Sequence, residues 1–321
     1  MYEPYFGLRA KPFQLNPDPD FFFGSRGHNR ALAYLDYGVH QGEGFIVITG
    51  EVGAGKTTLL RGLLRRIQGD AIVPVQLVST QVDSDGLLRL VASAFGLSTE
   101  GADKSTLLTR LQHHFEHLHQ QGRRALLIVD EAQNLAPDAV EELRMLSNFQ
   151  IGSRSLVQSF LVGQPEFRGI LQRPEMHQLK QRVIASYHLG PLDSAETRHY
   201  VEHRLRHVGW AQDPRIEDAA FARIHAASGG VPRRINTLCD RLLLGAYLNE
   251  QHAVTAQDVD TIAAEMDHEM GTMGVEAMHG QPSRLEARVA LLEASHEASS
   301  NLLKKLLRIA RGAGGTASGE S

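Results

Sequence analysis

The sequence predicts an α/β protein in which a parallel five-stranded sheet lies between layers of helices and is followed by a smaller helical module. Three observations predict this fold. Short apolar runs alternate with helical patterns up to residue 190, a glycine-rich loop joins the first run to a helix, and only helical patterns follow Pro191. Strands that alternate with helices imply right-handed crossovers, which place helices on both faces of a parallel sheet.

Five runs of apolar and β-branched residues are the predicted strands. Each run is short, nearly continuous and bounded by Gly, Pro, Ser or Asp, which is typical of strands buried on both faces. The predicted strands are residues 45–49, 71–78, 125–129, 156–162 and 183–189.

Helical patterns occupy the intervals between these strands and most of the chain after them. Ser194 is a predicted N-cap and Gly229-Gly230 a predicted helix break. We therefore predict a nucleotide-binding core at 1–190, a helical lid at 191–270, and a tail at 271–321 that contains a linker, an amphipathic helix and a disordered end. The predicted helices are residues 56–67, 85–95, 105–120, 137–148, 166–181, 193–208, 218–227, 232–249 and 256–267.

The composition is that of an ordinary globular protein, with a net charge of −4 and a pI near 6.5. This balance gives no global electrostatic reason to bind nucleic acid. A single cysteine, Cys239, excludes an internal disulfide and suits a reducing compartment, and its apolar flanks predict a buried thiol. Because no secretory signal and no run of about 18 apolar residues is present, we predict a cytoplasmic protein.

A glycine-rich loop is the strongest functional signal, because a predicted strand enters it and an amphipathic helix leaves it. Residues 50–57 read GEVGAGKT and match the pattern GxxxxGK[ST]. Glycines let backbone N–H groups surround phosphate oxygens, aided by the positive end of the following helix. Lys56 is expected to contact the phosphates of ATP, and the Thr57 hydroxyl to bind Mg²⁺. The residues predicted to hold the nucleotide are Gly50, Glu51, Val52, Gly53, Ala54, Gly55, Lys56, Thr57 and Thr58.

Two acids, Asp130 and Glu131, end the third predicted strand. Ligands of open α/β folds bind at the carboxyl edge of the sheet, so these carboxylates are expected at the nucleotide. Asp130 would hold the metal, and Glu131 would act as general base towards the attacking water. Gln164 follows the fourth strand and is open to two interpretations: it orients the same water, or it caps the next helix.

Together these motifs resemble those of the AAA+ ATPases, and within them the ExeA/GspA type of secretion ATPase. The likeness covers roughly residues 1–268 and is strongest to the ATPase associated with exosortase and PEP-CTERM loci, which shares Gly42-Glu43-Gly44-Phe45 running into the loop at 50–58. The N-terminal residues that carry it are Tyr5-Phe6-Gly7-Leu8, Lys11-Pro12-Phe13, Pro17-Asp18-Pro19, Phe22-Phe23-Gly24-Ser25 and His28-Asn29-Arg30-Ala31-Leu32.

The resemblance implies roles for further residues. Gln164 takes the sensor-1 position, and Arg182 the position of an arginine finger that reaches the γ-phosphate of a neighbouring subunit. Arg233, in Gly230-Val231-Pro232-Arg233, takes the sensor-2 position, with Arg234 as the alternative. For each arginine, a surface ion pair is the competing interpretation.

The resemblance also implies a Mg²⁺-dependent ATPase that forms homo-oligomers and powers or regulates assembly of an envelope export system, linked to exopolysaccharide or protein secretion. ExeA-like proteins commonly continue into a transmembrane helix and a periplasmic peptidoglycan-binding domain, which this sequence lacks. We therefore expect action through cytoplasmic contacts with a membrane-associated partner.

Residues 301–311 read NLLKKLLRIAR, with leucines on one helical face and basic residues on the other. This pattern is typical of peripheral membrane contact through 302–311 or of docking to a partner helix. Four histidines between residues 113 and 119 lack the spacing of a known metal site and are interpreted as a solvated helix face.

Two other functions remain open from the sequence. Arg61, Arg65 and Arg66 follow the glycine-rich loop and would suit a DNA-associated regulator of the transposition type, although the net charge argues against nucleic acid. An ATP-binding switch with little turnover is the second alternative, and an intact Glu131 argues against it.

Overall fold

The computed structural model describes residues 1–16, 18–67, 71–78 and 82–276. Contacts between residues group positions 1–263 into one compact unit. The predicted division at residues 190 and 270 stays a prediction. The predicted amphipathic helix and the end of the tail lie outside the described residues.

The main sheet has five parallel strands in the order β2-β3-β6-β1-β7, which confirms the predicted fold class. All five predicted strands are present to within one residue at either end. The strands are β1 (Phe45–Gly50), β2 (Ile72–Leu77), β3 (Arg124–Val129), β4 (Gln150–Ile151), β5 (Arg154–Ser155), β6 (Val157–Gly163), β7 (Val183–Leu189), β8 (Arg215–Ile216) and β9 (Ala253–Val254).

The two central strands, β1 and β6, are buried along their whole length. Side chains alternate between the faces of a strand. Phe45 and Val47 therefore pack into the core on one face of the sheet, and Ile46 and Ile48 into the core on the other. Burial on both faces explains why β1 is largely apolar rather than alternating, although β6 also buries the polar residues Gln158 and Ser159.

Helices cover the sheet and form most of the described residues after it. The helices are α1 (Tyr2–Tyr5), α2 (Arg26–Gln41), α3 (Lys56–Arg66), α4 (Ser84–Ala94), α5 (Lys104–Gln120), α6 (Pro137–Leu146), α7 (Glu166–Ile170), α8 (His177–Lys180), α9 (Ser194–His207), α10 (Asp218–Ser228), α11 (Pro232–Leu248) and α12 (Ala256–Glu276).

Helix α2 is absent from the sequence predictions, although its signals are present. Ser25 caps its start by accepting a hydrogen bond from the His28 backbone, and Gly42 ends it in the left-handed region. The buried positions Ala31, Leu35 and Val39 recur every four residues, which is the period of an amphipathic helix. This helix packs beside β1 and β7 and leads the chain into the sheet.

The predicted helix at 166–181 is wrong as a single element. It is divided into α7, a 3-10 turn at Pro174–Met176, and α8. Pro174 lacks the N–H that a continuous helix needs and disfavours helical backbone in the residue before it. Arg173 accordingly has extended backbone.

Three predictions for the C-terminal half also need correction. Strands β8 and β9 pair in parallel after Pro191, where only helices were predicted. Asp193, not Ser194, caps α9, and it forms a capping box with Glu196 because a carboxylate one residue earlier reaches the free N–H groups. Helix α12 continues to Glu276, beyond the predicted end at 267 and the predicted start of the linker at 271.

Two other predictions are confirmed. Gly229 ends α10 in the left-handed conformation, and Gly230 also has a positive φ, so this pair breaks the helix. Cys239 is buried in α11, and burial raises the pKa of its thiol. Among the described residues, no helix is long and apolar enough to cross a membrane.

Candidate nucleotide-binding site

The glycine-rich loop lies at the carboxyl end of β1 and opens α3. Gly53 and Gly55 have φ angles of 82° and 99°, in the region where glycine avoids the strain that a side chain causes. The Ala54 N–H donates to the Glu51 carbonyl over 3.1 Å and tightens the turn. The remaining N–H groups at the start of α3 form the kind of helix terminus that binds anions.

Lys56, the first residue of α3, is buried beneath this loop. Its Nζ donates to the carbonyls of Gly50 (2.7 Å) and Glu51 (3.0 Å). Burial lowers the pKa of Lys56, and the negative charges of Glu131 and Asp130 oppose that shift. The ammonium group is therefore directed at the loop by geometry and stabilised by the acids at the end of β3. Thr57 and Thr58 line the cavity beside it.

Asp130 and Glu131 follow β3 and come to the same edge of the sheet. Asp130 is only 5% exposed, and burial raises the pKa of its carboxyl group. Its Oδ1 accepts the Glu131 N–H at 3.0 Å. A nearby cation stabilises a buried carboxylate in its charged form, and a carboxylate with a hydroxyl is the oxygen donor set that Mg²⁺ prefers. Asp130 and Thr57 therefore fit Mg²⁺ by chemistry.

Glu131 lies in a cluster of side-chain amides. Its backbone has a φ of 52°, which is uncommon for a residue other than glycine. Its Oε2 accepts hydrogen bonds from the side-chain amides of Gln133 (2.5 Å) and Gln164 (3.1 Å). Burial raises the pKa of Glu131, but these two bonds and the charge of Lys56 outweigh it and leave the pKa below its ordinary value. Glu131 is therefore held in its ionised form.

Gln164 is placed at the end of β6, next to Glu131, as the water-orienting interpretation expects. Its side chain bonds Glu131 rather than capping α7, for which no side-chain cap bond is formed. Gln133 was missed by the sequence reasoning. Gln133 lies in no motif to which the sequence analysis gave a role. The turn that follows Glu131 places the Gln133 side-chain amide against the Glu131 carboxylate.

His28 was also missed, and it supports the loop from the side of α2. Its Nε2 lies 3.1 Å from the Ala54 carbonyl, and its Nδ1 lies 2.7 Å from the Ser25 hydroxyl. Burial lowers the pKa of His28, which favours the neutral ring. Because a carbonyl can only accept, we assign the proton to Nε2, so that Nδ1 accepts from Ser25.

Arg233 meets the loop from the opposite side. Its backbone N–H donates to the Gly53 carbonyl at 3.1 Å. A Cβ atom at Gly53 would lie 2.3 Å from the Cβ of Arg233, so the close approach requires glycine there. The exposed side chain of Arg233 lines the cavity, as the sensor-2 prediction expects, and Arg234 is not among the lining residues.

A cavity of about 200 Å³ opens beside the loop. The N-terminal segment forms one wall and is held by Arg204, which donates to the Pro12 carbonyl (2.7 Å) and lies over the Phe21 ring (4.7 Å). The sequence analysis did not assign this wall. The residues that line the cavity are Gln14, Leu15, Asn16, Asp18, Phe21, Phe22, Phe23, His28, Val52, Gly53, Gly55, Lys56, Thr57, Thr58, Glu131, Leu192, Tyr200, Arg204, Pro232, Arg233 and Asn236.

Arg182 lies at the amino end of β7, at the edge of the sheet away from the loop. Its guanidinium donates to the Ser147 hydroxyl (2.6 Å) and to the Asn148 side chain. The structure therefore does not bring it to Lys56 of the same chain.

Two of the three arginines noted on α3 form ion pairs. Arg65 pairs with Asp20, and Arg66 pairs with Asp36. These contacts weaken the case for a DNA-binding surface there. Within the part of the chain that the structure describes, no group of three or more His, Cys, Asp or Glu residues could hold a metal ion. The histidines at 113–119 thus form no such site.

Comparison with known proteins agrees with this geometry. Residues 39–171 match the family model for an AAA domain. The chain is 37% identical over 267 residues to the general secretion pathway protein A of Aeromonas hydrophila, an alignment that covers 83% of this chain and 48% of that protein. The chain thus spans about half the length of this curated relative.

Several solved structures have a similar fold. The Aeropyrum pernix ORC2 protein in its ADPNP-ADP complexes has a TM-score of 0.60 and 20% identity, over 80% of this chain and 71% of that chain. The Thermotoga maritima RuvB Holliday junction branch migration motor has a TM-score of 0.51 and 20% identity, over 88% of this chain and 86% of that chain. At these identities, the likeness concerns the fold.

Proposed function

Because the chain has the P-loop NTPase fold of the AAA+ type and an AAA domain, we propose that it binds ATP and hydrolyses it to ADP and phosphate. One observation carries the proposal. Lys56 on α3, the acids after β3 and Gln164 after β6 converge at one edge of the sheet, although they are distant in sequence. A phosphate-binding loop, a buried cation and an ionised base are the parts that phosphoryl transfer to water needs.

In this proposal, the loop N–H groups and Lys56 bind the phosphates. Thr57 and Asp130 would hold Mg²⁺, which supplies positive charge beside the phosphate oxygens. Glu131 accepts a proton from the water that attacks the γ-phosphorus, and Gln164 helps to orient that water. The base of the nucleotide occupies the cavity beside the N-terminal segment, and Arg233 contacts the bound nucleotide from α11.

Arg182 completes the site in trans in this proposal. It lies on the edge of the sheet opposite the loop, so its guanidinium serves a second copy of the chain. An arginine directed at the γ-phosphate stabilises the charge of the transition state. Hydrolysis would then require a homo-oligomer.

The cellular role follows from similarity and is part of the proposal. The likeness to general secretion pathway protein A supports ATP-dependent work in an envelope export system, through a membrane-associated protein partner. The finer assignment is to an exosortase-linked exopolysaccharide or protein export system, with the protein in the cytoplasm and peripheral at the inner membrane. Mass spectrometry of partners crosslinked in the native cell tests it, since an exosortase or export protein must be recovered.

The test of the activity separates binding from hydrolysis. ATP affinity is measured with a fluorescent ATP analogue, and phosphate release is measured in the steady state with Mg²⁺ present. Glu131→Gln keeps the size of the side chain but removes the base, so we expect affinity within about twofold of wild type and a kcat roughly 10²-fold or more lower.

Glu100→Gln is the matched control, because Glu100 is exposed and distant in sequence from the motifs. It should behave as wild type in both assays. A wild-type protein that binds ATP but releases phosphate no faster than Glu131→Gln would instead be an ATP-binding switch. A protein that binds no nucleotide would contradict the proposal altogether.

A further inference from the structure

We infer that Arg204 is a positioning residue that, together with Tyr200 and Asn236, holds the N-terminal wall of the cavity in place for the nucleotide base; the inference rests on the proposed function. These three residues are called the clasp, and the N-terminal wall comprises residues 12–16 and 21–23. Tyr200 and Arg204 lie four residues apart on one face of α9, and Asn236 lies on α11. All three line the cavity, although none belongs to a motif from which the site was predicted.

The clasp is a closed ring of hydrogen bonds. Arg204 donates from Nε to the Pro12 carbonyl over 2.7 Å and from Nη1 to the Tyr200 hydroxyl over 3.0 Å. That hydroxyl donates in turn to Asn236 Oδ1 over 2.9 Å. Asn236 Nδ2 donates to the Gln14 carbonyl over 3.2 Å, and a longer contact of 3.5 Å joins Arg204 Nη2 to the same carbonyl. The ring therefore attaches two main-chain carbonyls of the N-terminal wall to two helices.

The burial of Arg204 indicates that this cation serves position more than stability. Arg204 is only 6% exposed, and within the part of the chain that the structure describes no carboxylate is bonded to it. Its partners are carbonyls, a hydroxyl and the ring faces of Phe21 (4.7 Å) and Tyr200 (5.7 Å). A buried charge opposes folding unless it is well compensated, and an apolar side chain of similar size is often at least as stabilising. What the guanidinium adds over such a side chain is a fixed fork of donors.

The aromatic end of the N-terminal wall is packed between α9 and the glycine-rich loop. Phe23 meets the Tyr200 ring edge to face, with ring centroids 5.7 Å apart. Phe22 meets His28 of α2 in the same way at 5.9 Å. His28 in turn contacts the Ala54 carbonyl of the loop. The clasp thus bears on a wall that also touches the support of the phosphate-binding loop.

Helix α11 connects the N-terminal wall to that loop from the other side. Arg233, in its first turn, donates its backbone N–H to the Gly53 carbonyl, and Asn236, three residues later, bonds the Gln14 carbonyl. One turn of helix therefore sets the spacing between the loop and the wall. In the proposed function a nucleotide bridges the same two surfaces, with its phosphates at the loop and its base at the wall. A wall that is already in place removes the cost of ordering it when the base binds.

The inference predicts that the clasp contributes to binding of the base but not of the phosphates. ADP and inorganic pyrophosphate separate the two contributions, because only ADP carries a base and neither is the substrate of the proposed reaction. Their affinities are measured with Mg²⁺ present by displacement of the fluorescent ATP analogue, corrected for the affinity of each variant for the analogue. In Arg204→Met we expect the Kd of ADP to rise about tenfold and that of pyrophosphate to stay within about twofold of wild type.

Two further substitutions distinguish the fork of donors from the charge and the bulk of the clasp. Arg204→Lys keeps the positive charge, but one ammonium group does not reproduce the geometry of the guanidinium, so it should weaken ADP binding nearly as much as Arg204→Met. Tyr200→Phe keeps the ring and removes the hydroxyl that joins Arg204 to Asn236. It should shift ADP affinity in the same direction by a smaller factor, with pyrophosphate affinity again unchanged.

Arg198→Met is the matched control. Arg198 also lies on α9 with its guanidinium over an aromatic ring, that of Phe221 at 4.8 Å, but it pairs with Glu202 of its own helix. Both affinities should match those of wild type. Urea unfolding establishes that each variant is folded. If Arg204→Met is not, Arg204→Lys and Tyr200→Phe decide the question.

The second readout requires no ligand. Chymotrypsin cleaves after aromatic residues, and the N-terminal wall contains three of them in succession at 21–23. In protein without nucleotide, cleavage at these positions, followed by mass spectrometry of the fragments, should be faster in Arg204→Met than in wild type. Arg198→Met should be cleaved there at the wild-type rate.

The outcomes are distinguishable from those for the proposed function. Unchanged ADP affinity in the folded clasp variants, or equal losses of ADP and pyrophosphate affinity, would overturn the inference alone. Wild-type ADP affinity in Arg204→Lys, or unchanged cleavage of the N-terminal wall in Arg204→Met, would also overturn it. Wild-type protein that binds no nucleotide would contradict the proposed function, while the cleavage rates would still decide whether Arg204 holds the wall.

Discussion

The two edges of the central sheet hold their polar residues in different ways. At the carboxyl edge, Lys56, Glu131 and Gln164 are at least half-buried. Lys56 donates to the Gly50 carbonyl at the end of β1, and Gln164 after β6 donates to Glu131 after β3. At the amino edge, Arg182 comes just before β7 and donates hydrogen bonds to the side chains of Ser147 and Asn148, which lie between α6 and β4. The first edge is a cluster of charges and amides beside a cavity, whereas at the second edge the half-buried Arg182 is bonded to a hydroxyl group and a side-chain amide.

The difference concerns how much chemistry one chain can perform alone. The loops after parallel strands meet at one edge and can assemble a site from distant parts of the sequence. An arginine at the other edge contributes to such a site only when a second copy presents it. We therefore expect substitutions at the carboxyl edge to act within a subunit, and substitution of Arg182 to act between subunits.

The largest effect is expected from Arg182→Ala. An arginine finger contributes roughly 10³-fold or more to kcat, so phosphate release should fall by about that factor at protein concentrations where wild-type specific activity has reached its plateau. ATP affinity should not change. Arg110→Ala, at an arginine of α5 that donates to the Ser98 carbonyl, is the control and should retain activity.

A mixing experiment tests the assignment between subunits. Glu131→Gln supplies an intact arginine, and Arg182→Ala supplies an intact base, so an equimolar mixture should recover part of the activity that neither variant has alone. If the mixture stays inactive, or if Arg182→Ala hydrolyses ATP at the wild-type rate, the role of Arg182 is structural and consists of its bonds to Ser147 and Asn148. The contrast between the two edges would then lose its functional meaning.

The next effect concerns the carboxyl edge itself. Gly55→Ala places a Cβ atom 2.6 Å from His28 Nε2 at a backbone φ of 99°, so the loop must change shape. We expect affinity for the fluorescent ATP analogue to fall by about 10²-fold, because each misplaced N–H loses a charge-assisted hydrogen bond to phosphate.

Gly62→Ala provides the matched control in the same helix. A Cβ atom there meets nothing within 4 Å. Alanine also favours helix by roughly 0.5–1 kcal/mol over glycine, so this variant should be slightly more stable and bind ATP normally. Equal loss of affinity in both variants would mean that the effect is not specific to the contact with His28.

Sequence patterns predicted β1 and β3 well because these strands are buried and largely apolar on both faces, and they end at a glycine and before an acid. The loop at 50–58, Asp130 and Glu131 could be placed at one edge because parallel topology requires it. The interruption of a helix and the pairing of distant strands were harder to predict. Pro174 divides a segment whose spacing is otherwise helical, and β8 pairs with β9 across a long interval of sequence.

The supporting residues of the site could not be predicted for a different reason. Gln133 and His28 act through side-chain contacts with residues 2 and 26 positions away, and these contacts exist only after the turn at Glu131 and helix α2 have formed. Arg204 holds a segment 190 or more residues earlier in the chain. A sequence motif contains the residues that contact a ligand. The residues that position those contacts depend on how distant parts of the chain pack together.

The smallest expected effect is the pH dependence of stability that His28 introduces at the carboxyl edge. Burial lowers the pKa of His28 in the folded protein, and the hydrogen bond to the Ala54 carbonyl and the charge of Glu196 oppose this only in part. The unfolded chain therefore takes up a proton first as pH falls below about 6.5, and the free energy of unfolding decreases until the folded pKa is reached. One such group contributes at most ~1.4 kcal/mol per pH unit.

Urea unfolding between pH 7.5 and 5.5 measures this contribution. Stability should fall less steeply with decreasing pH in His28→Gln than in wild type, because glutamine does not titrate. His40→Gln, at an exposed histidine near the end of α2, should leave the slope unchanged. Parallel slopes in wild type and His28→Gln would mean that the loop is held without the neutral ring, and the carboxyl edge would then depend on Gly53 and Arg233 for its shape.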